Sequence, residues 1–267
     1  MGLSRFSLEG KVALVTGGSR GIGRATAIGF AEAGADVVVA SRKLPDLEKV
    51  ADEIRGVGRK ALPVAAHVGK MENIHRLVET VTAEFGKIDI LVNNAGTSPA
   101  MATVLDAEER LWDSVMNLNL KGLYFLSQAV ARVMKEHGGG KIINVASMDG
   151  YKPEYFVGPY SIAKAAVIMA TKSMALELAP YNIRVNAIAP GAVSTRILNS
   201  HWFNLPDEEA EAQKTEMAKA VPLQRIADSE EMVGAMIYLA SDASSYTTGE
   251  TILVDGGMTL ASPAIVQ

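Results

Sequence analysis

The chain has 267 residues, 48% of them hydrophobic, no cysteine, and a formal net charge of -4. That is enough apolar chain for one large core and predicts a single domain, while the missing cysteines exclude disulfides, thiolate catalysis and cysteine zinc sites. The acidic balance, without a basic run or interleaved aromatics, excludes a nucleic-acid partner. Residues 1–10 hold no apolar run resembling a signal peptide, no uninterrupted apolar stretch could span a bilayer, and the final Ala-Ile-Val-Gln is no peroxisomal address, so a cytoplasmic protein without a membrane partner is expected.

Lys11 to Thr16 is a β-rich run followed at once by Gly17-Gly18-Ser19-Arg20-Gly21-Ile22-Gly23 and a helical stretch, Arg24 to Ala33. Glycines between strand and helix let the backbone approach a pyrophosphate at the helix N-terminus. The spacing is Gly-x-x-x-Gly-x-Gly rather than the commoner Gly-x-Gly-x-x-Gly. The second strand, Asp36 to Ser41, ends in Ser41-Arg42-Lys43, with no acid to meet a ribose 2′-hydroxyl. A guanidinium there grips a 2′-phosphate, and Arg20 would approach from the other side, so the residues favour NADP(H), with NAD(H) remaining possible.

A helix from about Pro45, a strand from Lys60 to Ala66, a helix from Met71 to Phe85 and a strand from Ile88 to Val92 continue an alternation that predicts a parallel sheet covered on both faces. His67 after the third strand either stands near an adenine or is a loop histidine, and the four histidines, His67, His75, His137 and His201, show no ligand spacing, so no metal is expected. Asn93-Asn94-Ala95-Gly96 closes the fourth strand at the ligand-binding edge. Leu105 to Glu136 reads as one helix containing Asn119, which serves either the site or a local kink with Gly122.

Lys141 to Val145 is the fifth strand and leads to Ser147; the long apolar segment Pro159 to Leu178 suits a helix that puts Tyr160 and Lys164 on one face. A hydroxyl, a phenol and an ammonium can meet there as an acid/base site, the ammonium lowering the phenol's pKa. Ile183 to Ala189 is the sixth strand, and Pro190-Gly191-Ala192-Val193-Ser194-Thr195 follows it at the same edge. Residues 196–221 are the least regular part and read as a lid or a surface insertion. A helix from Ser229 to Leu239 and a strand from Thr251 to Val254 complete seven strands. The pocket is expected among Ser98 to Met101, Met148 to Tyr155 and Ile197 to Leu205, where Tyr151, Tyr155, Ile197, Leu198, Trp202 and Phe203 favour a hydrophobic ketone, aldehyde or diketone.

Together these segments, from Leu8 to Met258, resemble the short-chain dehydrogenase/reductase family. The resemblance implies a Rossmann-type doubly wound sheet of seven parallel strands in the order 3-2-1-4-5-6-7. It also implies a catalytic tetrad of Asn119, Ser147, Tyr160 and Lys164. Gly17, Ser19, Arg20, Gly21, Ile22, Gly23, Ser41, Arg42, His67, Val68, Asn94, Ala95, Gly96, Tyr160, Lys164, Pro190, Gly191, Val193 and Thr195 would hold the cofactor. His67-Val68-Gly69 departs from the pattern, since many members carry Asp before this valine; with Lys70 and Trp202 it is reminiscent of the NADPH-dependent carbonyl and retinal reductase branch. The implied activity is hydride transfer between a nicotinamide and a ketone, aldehyde or alcohol in a homodimer or homotetramer, with Asn119 holding a water that links Lys164 to solvent. The alternatives are an NAD-dependent sugar or secondary-alcohol dehydrogenase and a non-catalytic dinucleotide-binding regulator.

Overall fold

A computed structural model of the chain describes residues 3–199 and 206–260. Seven strands, β1 (Val12–Thr16), β2 (Asp36–Ser41), β3 (Ala61–Ala65), β4 (Ile90–Asn93), β5 (Gly140–Val145), β6 (Ile183–Pro190) and β7 (Thr251–Val254), form one sheet in the order β3-β2-β1-β4-β5-β6-β7. Every pairing is parallel, with Leu14 facing both Val38 and Leu91. The order reverses at β1, where the chain leaves toward β2 and β3 on one side and crosses back from β3 to β4 on the other, so a crevice opens at the carboxyl ends of β1 and β4.

Side chains alternate along each strand, which gives two cores. Ala13, Val15, Val37, Val39, Ile90 and Val92 pack on α1 (Gly21–Glu32), α2 (Leu44–Gly56) and α9 (Val233–Ala240) through Phe30, Leu47 and Met236. Leu14, Val38, Leu91 and Ile142 pack on α3 (Met71–Phe85) and α5 (Leu123–Glu136) through Leu77, Leu126 and Met134. Strands buried on both faces explain why their sequences are nearly continuous in apolar residues.

Three sequence expectations change. Leu105 to Glu136 is not one helix: α4 (Glu109–Met116) runs through a π-turn, Asn117–Gly122, into α5, and the turn packs so tightly that a Cβ on Gly122 would lie 2.2 Å from the Val68 carbonyl oxygen. The wider turn carries Asn119 inward, a use π-turns commonly serve. Residues 196–221 are more regular than their pattern suggests, with α7 (Arg196–Asn199) and α8 (Asp207–Ala220). The second of these has no apolar stripe, and its strong helix formers are supported by Glu211–Lys214 and Glu216–Lys219 pairs. Residues 229–232 form a 3₁₀ turn closed by a capping box between Asp228 and Glu231 before α9 begins.

Behind the crevice a buried polar chain ties β4, α5, β5 and the helix after it together. Asn93 Nδ2 donates to Ser127 Oγ (2.8 Å) and Asn144 Oδ1 (2.9 Å), Asn144 Nδ2 donates to Thr171 Oγ1 (2.9 Å), and Thr171 donates to the Val167 carbonyl (2.8 Å). The chain locks β4 and β5 to α6 (Gly158–Leu178), the helix that carries Tyr160 and Lys164. Asn144→Ala removes two of these bonds, leaving Asn93 Nδ2 only Ser127 and Thr171 Oγ1 only Val167, and is expected to lower stability by about 2–3 kcal/mol in urea unfolding. A loss below about 1 kcal/mol would mean that the chain does not hold these elements in register.

Candidate active site

The crevice is a cavity of about 650 Å³ lined from one end to the other by the glycine turn, Ser41 to Lys43, Ala66 to Val68, Asn94 to Pro99, Ser147, Tyr160, Lys164 and the segment after β6. Every residue that the resemblance assigned to the cofactor lines it except Gly23, which lies beneath the turn. There a Cβ would come within 2.3 Å of the Gly17 carbonyl oxygen and 2.4 Å of Asn94 Nδ2. Gly17 (φ 64°) and Gly21 (φ 53°) adopt left-handed backbone that favours glycine. Arg20 at the N-cap of α1 makes no side-chain cap, so the helix's first N–H groups remain available to an anion.

Asn94 clamps this turn. Its Nδ2 donates to the carbonyls of Thr16 (2.9 Å) and Gly17 (3.3 Å), while its own N–H and that of Ala95 donate to Thr16 Oγ1. The cradle therefore fits a dinucleotide: glycines where the backbone must pass closely, free N–H groups for a pyrophosphate and cations at the far end. Arg20, Arg42 and Lys43 surround that end, and Asp46 approaches Arg20 Nη2 at only 3.9 Å. Lys43 was not singled out in the sequence because a lone lysine after a strand is ordinarily a solvated charge. His67 is fixed by the Gly69 N–H, which donates to its Nδ1 at 3.1 Å, leaving Nε2–H as a donor in the cavity wall.

At the other end Ser147, Tyr160 and Lys164 come together. Ser147 stands extended after β5 and accepts from the Asp149 N–H at 3.1 Å, which starts a 3₁₀ turn, Met148–Gly150. Tyr160 lies in the first turn of α6, and Lys164, one turn later and almost wholly buried, puts its Nζ 5.5 Å from the centre of the phenol ring. The lysine donates to the Val145 carbonyl at 2.7 Å, so its ammonium stands at the end of the strand that presents Ser147. Asn119 is also buried, but both ends of its side chain serve the Thr97 backbone: Oδ1 accepts from the N–H at 2.7 Å and Nδ2 donates to the carbonyl at 2.8 Å. The site thus holds Asn119 close behind Gly96, where a Cβ would meet its Oδ1 at 3.2 Å.

The electrostatics differ from the sequence expectation that Lys164 lowers the phenol. Burial pushes the Tyr160 pKa well up, the Asp149 charge raises it further, and the Ser147 hydrogen bond opposes the rise. Lys164 itself is lowered to about 8 by burial, against support from Asp149. Asp149 is raised to about 6 by burial and by Glu154, against Ser147 and Lys164. The protein's own groups therefore hold Tyr160 in its protonated, donor form.

The expected apolar pocket is only partly found. Ile197 and Leu198 line the cavity, but Tyr151 and Tyr155 point to solvent, and Trp202, Phe203 and Leu205 lie outside the described residues. Asp149, Ser98 and Ser114 line that end instead. The carboxylate escaped notice because an aspartate in a loop is usually solvated. Among the described residues no group of three acidic or histidine side chains could hold a metal ion, and no helix is long and apolar enough to cross a membrane.

A family model described as enoyl-(acyl carrier protein) reductase matches residues 17–259. Dehydrogenase/reductase SDR family member 4 of Sus scrofa is 38% identical over 253 residues, covering 95% of this chain and 88% of that protein. The 2-dehydro-3-deoxy-D-gluconate 5-dehydrogenase of Escherichia coli (strain K12) is 42% identical over 256 residues, covering 96% and 98%. The crystal structure of a gluconate 5-dehydrogenase from Burkholderia cenocepacia J2315, in complex with NADP and tartrate, superposes with a TM-score of 0.90 at 38% identity, covering 97% of this chain and 99% of that one. Sequence, topology and relatives agree that the chain belongs to the short-chain dehydrogenase/reductase family, whose members are NAD(P)-dependent oxidoreductases acting on alcohols and carbonyls.

Proposed function

We propose that the chain is an NADP(H)-dependent oxidoreductase that interconverts a ketone or aldehyde and an alcohol, with Tyr160 as general acid and base. The observation that carries this reading is the meeting of Ser147, Tyr160 and Lys164 in the same crevice as the glycine turn. When bound, the dinucleotide supplies the hydride and, in its oxidised form, a positive charge beside the phenol. Tyr160 Oη gives its proton to the carbonyl oxygen as that oxygen gains charge in reduction, and takes the carbinol proton in oxidation. The Ser147 hydroxyl donates to the same oxygen. Lys164, beside the phenol ring, offers donors to ribose hydroxyls. Asn119 pins the Thr97 backbone and so keeps Asn94 to Pro99 against the crevice, and the second lone pair of its Oδ1 and the second N–H of its Nδ2 suit the water that links Lys164 to solvent. The lid reading of residues 196–221 is supported by Arg196, Ile197 and Leu198, which line the substrate end of the cavity.

The cofactor preference rests on Arg20, Arg42 and Lys43 around a pocket end that no carboxylate lines. Arg42→Asp is expected to lower kcat/KM with NADPH at least about tenfold while activity with NADH holds or rises, because a carboxylate repels a 2′-phosphate and accepts from a 2′-hydroxyl. A wild-type preference for NADH would defeat the assignment. The gluconate 5-dehydrogenase relatives favour a second reading, oxidation of a sugar acid or secondary alcohol, and the direction of turnover with matched alcohol and ketone decides between them. A non-catalytic regulator is disfavoured by the intact tetrad, and turnover of any carbonyl or alcohol eliminates it.

Trp112 on α4, Tyr124 on α5, and Ile162, Met169 and Leu176 on α6 are exposed apolar side chains. They support assembly as a closed homodimer or homotetramer, and a monomer at micromolar concentration in light scattering would refute it.

A further inference from the structure

The oxidoreductase reading uses the glycine turn, the cations after β2 and the Ser147 end of the crevice, and it leaves His67 without a task. Its ring is held in two ways. The Gly69 N–H donates to Nδ1 at 3.1 Å, and a Cβ on Gly69 would lie 2.9 Å from Cε1 and 3.2 Å from Nδ1, so one edge of the imidazole rests on that glycine. A side chain at position 69 would push it off. Because Nδ1 accepts, the ring hydrogen is on Nε2. No group among the described residues meets that N–H, and it is not sealed inside the protein, in a half-buried residue that lines the cavity. The side chain is an ordered donor awaiting an acceptor.

Its place along the crevice says which acceptor. The glycine turn follows β1 and Ser147 follows β5, so a dinucleotide with its pyrophosphate on the turn and its nicotinamide beside Tyr160 extends the other way, over β2 and β3. Ser41 pairs with Ala65, and the Ala66 N–H donates to the Ser41 carbonyl at 2.8 Å, so the loop holding His67 lies directly beyond Ser41 to Lys43. That is the room left for the purine base. Val68, Ala95 and Leu118 offer it apolar walls, and no carboxylate lines this end. A purine presents ring nitrogens that accept and, in adenine, a 6-amino group that donates. The Nε2–H suits the first and has nothing to give the second.

We propose that His67 is the base-holding residue of the cofactor site, donating from Nε2 to an acceptor on the purine, and that the 6-amino group of adenine goes unread. The site then takes purine dinucleotides with little regard to the substituent at C6. A carboxylate at this position would do the opposite, accepting from an amino group and repelling an oxygen. This inference rests on the dinucleotide site of the oxidoreductase reading and is independent of the 2′-phosphate.

The test measures Kd by isothermal titration for NADP and its hypoxanthine analogue, in which an oxygen replaces the 6-amino group, and for NAD and its hypoxanthine analogue, with wild type, His67→Phe and His67→Asp. The ratio is read in whichever pair binds more tightly, so a failed 2′-phosphate assignment leaves the test intact. Wild type is expected to bind the adenine member no more than about threefold tighter, since an acceptor faces the N–H in both. His67→Phe keeps a flat ring without the donor and is expected to weaken both members about fivefold or more. His67→Asp is expected to open a preference for adenine of about tenfold or more. Unchanged melting temperatures without cofactor report that the variants are folded, and the wild-type comparison needs no variant. A wild-type preference for adenine beyond about threefold, or a smaller effect than these in either folded variant, overturns the proposal and leaves the oxidoreductase reading standing. No binding of any of the four dinucleotides by wild type overturns both.

Discussion

Tyr160→Phe is expected to lower kcat by about 10³-fold or more while the fold and NADPH binding persist. The change removes one oxygen. The ring stays in the first turn of α6, 5.5 Å from the Lys164 ammonium, so the crevice keeps its shape. What disappears is the proton that the protein holds on this phenol through burial and the Asp149 charge. No other group at this end takes its place: Ser147 is a weak acid, and Lys164, anchored to the Val145 carbonyl at the end of β5, keeps its remaining N–H groups for the ribose. Ser147→Ala is expected to have the smaller effect, about 10²-fold, because it removes a hydrogen bond to the reacting oxygen and leaves the proton donor. The double variant should be little worse than Tyr160→Phe, since the two groups act on one oxygen. Steady-state kinetics with circular dichroism checks all three, and retention of a tenth of wild-type kcat by Tyr160→Phe would sink the acid/base role.

The order of elements was legible because the central strands are buried on both faces and each helix returns over the sheet, which writes apolar runs and helical periods into the chain. Gly17, Gly21 and Gly23 were legible for a different reason: the backbone there has no room or the wrong φ for a side chain. Other features leave little local trace. The π-turn at Asn117–Gly122 shows in the sequence only as Asn119 and Gly122 inside a helical run, and the close passage of the Val68 carbonyl over Gly122 is set by tertiary packing. Helix α8 depends on charge pairs and propensity instead of an apolar stripe. The pocket wall was misread for a related reason, since Tyr151 and Tyr155 have the composition of a substrate wall but the backbone turns them outward. The same stretch carries Phe156 at φ 67°, stitched to the opposite wall through its carbonyl, which accepts from the Ala102 N–H at 2.8 Å. Such crossings join residues more than fifty apart and are set by tertiary packing.

Replacing Lys164 by methionine is expected to stabilise the fold at pH 7 and to abolish activity. An ammonium brought from its usual 10.5 to about 8 by burial burdens the folded state by about 3 kcal/mol when charged. Methionine fills similar space without charge. It forfeits the hydrogen bond to the Val145 carbonyl, a loss of about 1–2 kcal/mol. The difference favours the variant by about 1–2 kcal/mol, a rise of several degrees in Tm for a chain of this size. The pH dependence identifies the cause. Below about pH 8 the lysine is protonated in both folded and unfolded chains, and the full burden is present. Between about 8 and 10.5 the unfolded chain holds the proton and the fold releases it, so wild-type stability gains with pH relative to Lys164→Met until the advantage of the variant is gone. Added NADP should reverse the order at pH 7, because the wild type gains ligand stabilisation that the variant, without donors for the ribose, gains less of. Urea unfolding of both proteins at pH 7 and pH 9.5, with and without NADP, reads all of this. A variant less stable than wild type at pH 7, or a stability difference that does not move with pH, would show that the buried ammonium is not the burden the site carries for its chemistry.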